Sequence, residues 1–263
     1  MALEPEAARK WRDQAQFDYI GPFVKSWAAF NAWFRHGCGS SSDADGLSYV
    51  TTQDNLVRNT AIPLLNKNKT NDRAQKFKAN IADLHERLSD YDLNKTDPKT
   101  GTIYTIRLSS VRVLNQGKPQ KRQHNKDQFL VHRTNKKWRS EIKRDDKVAF
   151  EFEQGEWNID ELVTYGKFTK LSQTRRTFLQ ATYNAADPCP LLDLTAGDAD
   201  ELPIGSVPFR CTEQELFSGL VRVLYDMRNS LLHGELVPNE TALRCYEPAY
   251  WLLKDFLAFA DAG

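Results

Sequence analysis

The chain has 263 residues, 40% of them hydrophobic and 27% charged, with a formal net charge of +1. That length fits one large domain or a domain carrying an insertion, and the composition is that of a globular protein with a sizeable core. No run approaches the ~18 uncharged apolar residues that a membrane span needs, so a membrane protein is excluded as an expectation.

Several other classes are set aside by what the sequence lacks. Met1-Ala2-Leu3-Glu4-Pro5-Glu6 has neither the basic nor the hydrophobic region of a secretion signal. Cys38, Cys189, Cys211 and Cys245 are scattered, with no Cys-x-x-Cys pair and no His at ligand spacing. His36, two residues from Cys38, is too little to suggest zinc. Reduced thiols, a cytoplasmic location, no metal and no cofactor are the expectations. There is also no phosphate-cradling Gly-rich loop, no Gly-x-Ser-x-Gly and no His-Glu-x-x-His.

The first third reads as helical. Phe23, Trp27, Phe30 and Phe34 recur at i, i+4, i+7 and i+11, one face of a helix that ends at His36-Gly37 and a Ser/Gly/Asp stretch. Asn31 lies one turn beyond Trp27, beside the stripe. A second helix from about Gln53 is bent or interrupted at Pro63. A third opens at Asn71, a good cap, and carries Phe77, Ile81, Leu84 and Leu88 at helical spacing.

From about Thr96 to Trp157 the character changes. Asp97-Pro98-Lys99-Thr100-Gly101 is turn-like, and short β-prone runs follow at 102–108, 111–114, 129–131 and 148–152. Between Lys118 and Lys147 stand eleven basic and four acidic residues, a local net charge of +7. Such a segment attracts polyanions. Lys136, Lys137 and Arg139 are candidate phosphate contacts, and Trp138 among them is a candidate base-stacking side chain. The equally weighted alternative is a solvated charged loop with one half-buried Trp.

Helix resumes at Asn158 and runs through Leu162, Phe168, Leu171 and Phe178 to about Tyr183, before a loop rich in Pro, Asp and Gly from 187 to 208. Thr212-Glu213-Gln214-Glu215 has capping-box form. Leu216, Leu220, Val223, Met227 and Leu231 then continue at helical spacing to Gly234, a natural stop. Beyond Pro238, Asn239 opens a last helix carrying Tyr246, Tyr250, Leu253 and Leu257. The remaining histidines, His85, His124 and His132, have no evident chemical partner.

The long helix ends in Arg228-Asn229-Ser230-Leu231-Leu232-His233-Gly234. One permanent cation beside one titratable imidazole suffices for cleavage of RNA without a metal. Neutral His takes the proton of a ribose 2′-hydroxyl. Arg forks onto two phosphate oxygens and holds the charge that builds there. A surface Arg with a His capping the helix end is the plainer reading.

This heptapeptide resembles the signature of the HEPN superfamily, helical-bundle proteins many of which are RNases. The Ser26-Trp27-x-x-Phe30-Asn31-x-Trp33 run is similar, more weakly, to the first long helix of some members. The resemblance implies a mainly α fold, a HEPN-like bundle formed by 1–95 and 158–263 with a small basic β-containing insertion at 96–157. It implies Arg228, His233 and Asn229 as catalytic residues, Asn229 orienting the imidazole or binding phosphate. Arg228 and His233, five apart, point ~140° away from each other on an ideal helix. HEPN nucleases solve this by facing two motifs across a dimer axis, so a homodimer is implied. So are an RNA substrate, 2′,3′-cyclic phosphate ends and a defence or toxin role with a possible antitoxin partner. Some HEPN toxins carry a modifiable Tyr two residues beyond the His; here that position is Glu235. The acidic C-terminal stretch, thirteen Asp/Glu against five Lys/Arg from Ala186 to Gly263, departs from an RNA-binding profile. A non-catalytic HEPN protein that binds RNA or a nucleotide, or serves as an interaction subunit, and an unrelated helical adaptor are the alternatives.

Overall fold

The computed structural model describes residues 18–96, 101–114, 119–197, 199–236 and 239–261. About 52% is helix and 20% strand, a mixed composition in which helix predominates. In chain order the elements are α1 (Ile20–Cys38), α2 (Asp43–Thr52), α3 (Leu56–Leu65), α4 (Asp72–Asp90), β1 (Asn94–Thr96), β2 (Ile103–Thr105) and β3 (Val111–Arg112). Then come β4 (Gln120–His124), β5 (Asp127–Thr134), β6 (Lys137–Arg144), β7 (Lys147–Gln154), α5 (Ile159–Thr164), α6 (Gly166–Thr169) and α7 (Gln173–Ala185). The chain closes with β8 (Leu191–Leu192), β9 (Leu202–Ile204), β10 (Val207–Phe209), α8 (Glu213–Leu232) and α9 (Glu240–Ala260). Met1–Glu6, the turn at Asp97–Thr100, Lys118 and Pro238 lie outside the described residues. No helix among the described residues is long and apolar enough to cross a membrane.

The chain forms two compact units, Met1–Val113 with Leu191–Gly263, and Leu114–Pro190. In the first, α9 packs against α1, α3 and α4, and α8 packs against α2 and α3. The aromatic stripe of α1 is buried as its spacing predicts. Phe23 meets Tyr246 edge-on and Phe30 meets Phe256. On α4, Phe77, Ile81, Leu84 and Leu88 are buried, with Phe77 against Phe256 and Phe259. Aromatic pairs of this kind contribute ~0.5–1.5 kcal/mol each beyond area burial. The helix starts are where the caps place them: Asn71 accepts from the Ala74 amide, Asn239 from the Ala242 amide, and Thr212 with Glu215 completes a capping box.

Two features of this unit differ from the sequence expectation. The Ser/Gly/Asp stretch is not all loop: Gly39, at φ +63°, ends α1, and Ser42 then caps a further helix, α2. The helix beyond it starts at Leu56 under an Asn55 cap and runs through Pro63 to Leu65. Between α4 and α8, short strands sit on the C-terminal half of the unit, with β1 and β3 packed on α8.

The second unit corrects the expected boundary of the insertion. Its sheet is an antiparallel meander in the order β4-β5-β6-β7. Asn135-Lys136 and Asp145-Asp146, all at positive φ, form the two-residue turns that join β5 to β6 and β6 to β7. The helical stretch after Asn158, expected to continue the bundle, packs here instead. It is broken into α5, α6 and α7 by extended backbone at Tyr165 and Ser172. Leu162, Phe168, Leu179 and Tyr183 share one core with Phe129, Val131, Trp138, Ile142 and Phe150. Burial of that apolar face under α5, α6 and α7 decides the boundary.

Asp127 clamps this unit. Buried on β5, it accepts two hydrogen bonds from Arg144 on β6 (2.7 and 3.2 Å) and two from Arg175 on α7 (2.7 and 2.9 Å). The Arg175 hydrogen bonds, and then those of Arg144, hold its carboxyl below the ordinary value of 3.8. Because the folded value is depressed, the stabilisation is full above about pH 4 and is lost as pH falls through the folded value. Asp127→Asn is expected to destabilise the unit by about 2–3 kcal/mol, since charge-assisted hydrogen bonds are lost from a buried position. Urea melts should give a constant gap from wild type near neutrality that narrows in acid. A gap independent of pH down to about pH 2 refutes the clamp.

Candidate active site

The motif occupies the last turn of α8, and three neighbours fix that turn. Ser230 Oγ donates to the Asn94 carbonyl (2.8 Å), Tyr246 Oη donates to the Met227 carbonyl (3.2 Å), and Lys95 pairs with Asp226 in a buried ion pair. The helix then closes with both hydrogen bonds of a Schellman end. Glu235 N–H reaches the Ser230 carbonyl (2.9 Å) and Gly234 N–H the Leu231 carbonyl (3.2 Å). Gly234 takes φ +70°, which only a residue without Cβ adopts freely. His233 is therefore the residue at which the chain leaves the helix.

Arg228 is half-buried. Its Nη1 donates to Asn229 Oδ1 (2.7 Å) and lies 3.8 Å from Asp43 Oδ2. Asn229, 7% exposed, is thus turned onto the guanidinium. Its amide oxygen therefore meets Arg228 of the same chain, and the structure records no hydrogen bond from it to the His233 imidazole among the described residues. His233 is exposed at the helix end, and its imidazole makes no hydrogen bond or ion pair with another described residue. The structure records no contact between the Arg228 and His233 side chains, in keeping with their spacing.

Asp43 is the residue that the sequence reading missed. As the first residue of α2 it receives Arg35 Nη2 (2.7 Å) on one oxygen, and faces Arg228 and the Tyr225 hydroxyl (3.4 Å) on the other. Two guanidinium groups from different helices therefore converge on one carboxylate, leaving a local excess of positive charge. Arg35 Nε, Arg228 Nε and Asn31 Oδ1 are buried without a hydrogen-bond partner among the described residues. The signal was present: Ser42 followed three residues later by Asp45, before Leu47 and Val50, is a helix start.

Known protein families, characterised proteins and solved structures hold no match to this chain.

Two cysteines and two histidines of the described residues are held by burial and packing. Burial pushes the Cys211 thiol up to about 12 and the Cys245 thiol up to about 11, so neither supplies a thiolate near neutrality. His85 packs edge-on against Phe209, and burial lowers its pKa; His124 stacks on Phe178 with ring centroids 4.2 Å apart. Both are packing residues. Among the described residues, no group of three or more His, Cys, Asp or Glu is placed to hold a metal ion.

The four residues of the expected RNA-binding quartet are not presented together. Trp138, 3% exposed, is a core residue that meets Trp157 edge-on at 4.6 Å, and Trp157 stacks on Tyr183. Base stacking on Trp138 is therefore ruled out in this fold. Arg139 is committed to carboxylates, with Glu141 at 2.7 Å, Glu153 at 3.9 Å and Glu151 closest of all. Lys137 lies 3.8 Å from Glu153. Lys136, on the β5–β6 turn, is exposed and has no ion pair among the described residues. The +7 counted over 118–147 is partly cancelled by Glu151 and Glu153 on β7, so the whole second unit carries fifteen basic against ten acidic residues. Lys121 and Arg122 lie on the edge strand β4, where charge also blocks strand addition.

Proposed function

We propose that this chain is a metal-independent endoribonuclease of the HEPN kind, acting in the cytoplasm as a homodimer. The observation that carries the reading is the placement of Arg228-Asn229-x-x-x-His233-Gly234. It lies in the rigid last turn of a core helix, with a positioned guanidinium and an imidazole free at the surface. His233 acts as the general base on a ribose 2′-hydroxyl. The oxygen attacks the adjacent phosphorus, the bond to the 5′-oxygen breaks, that oxygen takes a proton from water, and the products are a 2′,3′-cyclic phosphate and a 5′-hydroxyl. Arg228, oriented by Asn229, holds the non-bridging oxygens as charge accumulates. Asp43 keeps Arg228 and Arg35 turned to the same place.

The separation of Arg228 and His233 around the helix supports a composite site in which each His233 works beside the partner's Arg228. Leu232, 54% exposed next to His233, gives that face an apolar contact. Exposed Lys121, Arg122, Lys126 and Lys136 of the second unit are proposed as phosphate contacts of that unit by itself. A defence or toxin role, with an antitoxin as possible partner, follows from the family resemblance.

The test is cleavage of RNA by purified protein in EDTA, with end-group analysis. Cyclic phosphate ends are expected, and mixing an Arg228→Ala chain with a His233→Ala chain should restore part of the activity. A strict requirement for Mg²⁺, or products with 5′-phosphates, refutes the mechanism. No recovery on mixing, under conditions where the chains exchange, refutes the shared site.

A further inference from the structure

A cavity of about 350 Å³ in the first unit lies between the β2–β3 region and α8. It shares α8 with the motif but is lined by a different set of residues. Its apolar lining comes from the buried side chains of Ile106, Val111 and Val223. Tyr104 presents an aromatic ring at its wall. Around this apolar lining stand three guanidinium groups, Arg107, Arg112 and Arg222. The only acid in the lining is Asp226, which is already engaged by Lys95 and by Arg222 (3.0 Å).

The donors of Arg107 are not exhausted by its partner. Arg107 Nη2 pairs with Asp92, an acid two-thirds exposed, while Arg107 Nε is buried without a partner among the described residues. A guanidinium carries five N–H donors, so Arg107 keeps capacity for a further acceptor, while Arg112 and Arg222 add positive charge to the same wall. Apolar space beside an aromatic ring, edged by forked cations, matches a flat heterocycle joined to a phosphate. A bare inorganic anion would leave the apolar lining unused. A purely apolar ligand would face three cations.

We propose that this cavity binds a nucleoside phosphate, with the base against Tyr104 and the apolar lining and the phosphate on Arg107, Arg112 and Arg222. The same chemistry is offered by a free nucleotide and by one nucleotide unit of an RNA strand. The site does not require the chain to cut RNA. Its contents are a binding subsite and include none of the motif residues.

The experiment is equilibrium binding to the full chain by calorimetry, with three probes: adenosine, adenosine 5′-monophosphate, and a 2′-O-methyl RNA dodecamer that resists cleavage. Adenosine should bind at least ~10-fold more weakly than the monophosphate, the scale of losing one or two charge-assisted contacts. The Arg107→Ala/Arg112→Ala double variant removes exposed or half-exposed side chains and should melt like wild type. It should lose at least ~10-fold in monophosphate or dodecamer affinity. Competition between the two probes identifies the RNA strand as a source, and an effect on the monophosphate alone identifies the free nucleotide. Arg112→Glu, a single charge reversal at an exposed position, is the second variant and should lose at least as much. His233→Ala should bind the monophosphate as wild type does, even where it has lost cleavage, which separates this site from the proposed reaction. The proposal is overturned if both phosphate-bearing probes bind the double variant as tightly as wild type. It is likewise overturned if neither binds the wild type, or if His233→Ala weakens the monophosphate.

Discussion

Alanine at position 233 is expected to slow RNA cleavage at least ~100-fold, the scale for losing a general base. The structure makes this an informative variant. His233 is exposed, caps the helix through its backbone and makes no side-chain hydrogen bond among the described residues. Surface substitutions of this kind shift stability by no more than about 0.5 kcal/mol, so a lost rate reports chemistry and not unfolding. Arg228→Ala should fall by a similar factor, since a transition-state donor is worth ~100-fold or more. Here the half-buried side chain and its partners Asn229 and Asp43 complicate the reading. Arg228→Lys answers that concern: it keeps the charge and loses the fork, and should recover only a small part of the rate. Full activity of His233→Ala, measured on protein with an unchanged melting curve, would remove His233 from the mechanism.

The second large effect concerns stability. Lys95 and Asp226 have side chains 8% and 9% exposed, and their ion pair ties β1 to the last turns of α8. Lys95 Nζ also lies 5.7 Å from the Tyr104 ring centroid and 5.5 Å from that of Tyr225. Removing one member leaves the other buried and uncompensated, which costs about 3–5 kcal/mol in comparable pairs. Lys95→Met and Asp226→Asn are each expected to lie in this range by urea denaturation, with Asp226→Asn also releasing Arg222. The double variant should be less destabilised than the sum, because no unpaired charge remains from the pair. Single variants within about 1 kcal/mol of wild type would show that the pair is solvated and that β1 is held by other contacts.

Where burial follows helical spacing, the sequence was legible. The α1 stripe, the α4 face and the caps at Asn71, Thr212 and Asn239 are written in local pattern, and local pattern is what tertiary structure then uses. The boundary of the second unit was not legible for a physical reason. Leu162, Phe168 and Leu179 have the spacing of helix residues whether their partner is another helix or a sheet, so periodicity alone does not name the partner. Of the two readings of Trp138, stacking platform or half-buried side chain, its charged neighbours favour neither. In a strand those neighbours point to the opposite face, and alternation through Trp138, Ser140 and Ile142 marks the buried side. The motif residues stood out as types, whereas Asp43 did not: its role comes from Arg35 and Arg228, which lie far apart in the chain.

The pairing of β3 with β8 has a topological consequence. Val111 lies opposite Leu192 and Arg112 opposite Leu191, so the chain enters and leaves the second unit from a single antiparallel ladder. In polymer terms the whole of that unit is a loop closed by two rungs. Closure entropy grows only logarithmically with loop length, about 0.6 kcal/mol for each doubling. The first unit therefore loses little whether the intervening chain is folded, unfolded or replaced by a short hairpin. Lengthening or shortening the insertion is therefore expected to change the stability of the first unit by no more than about 0.6 kcal/mol for each doubling of its length.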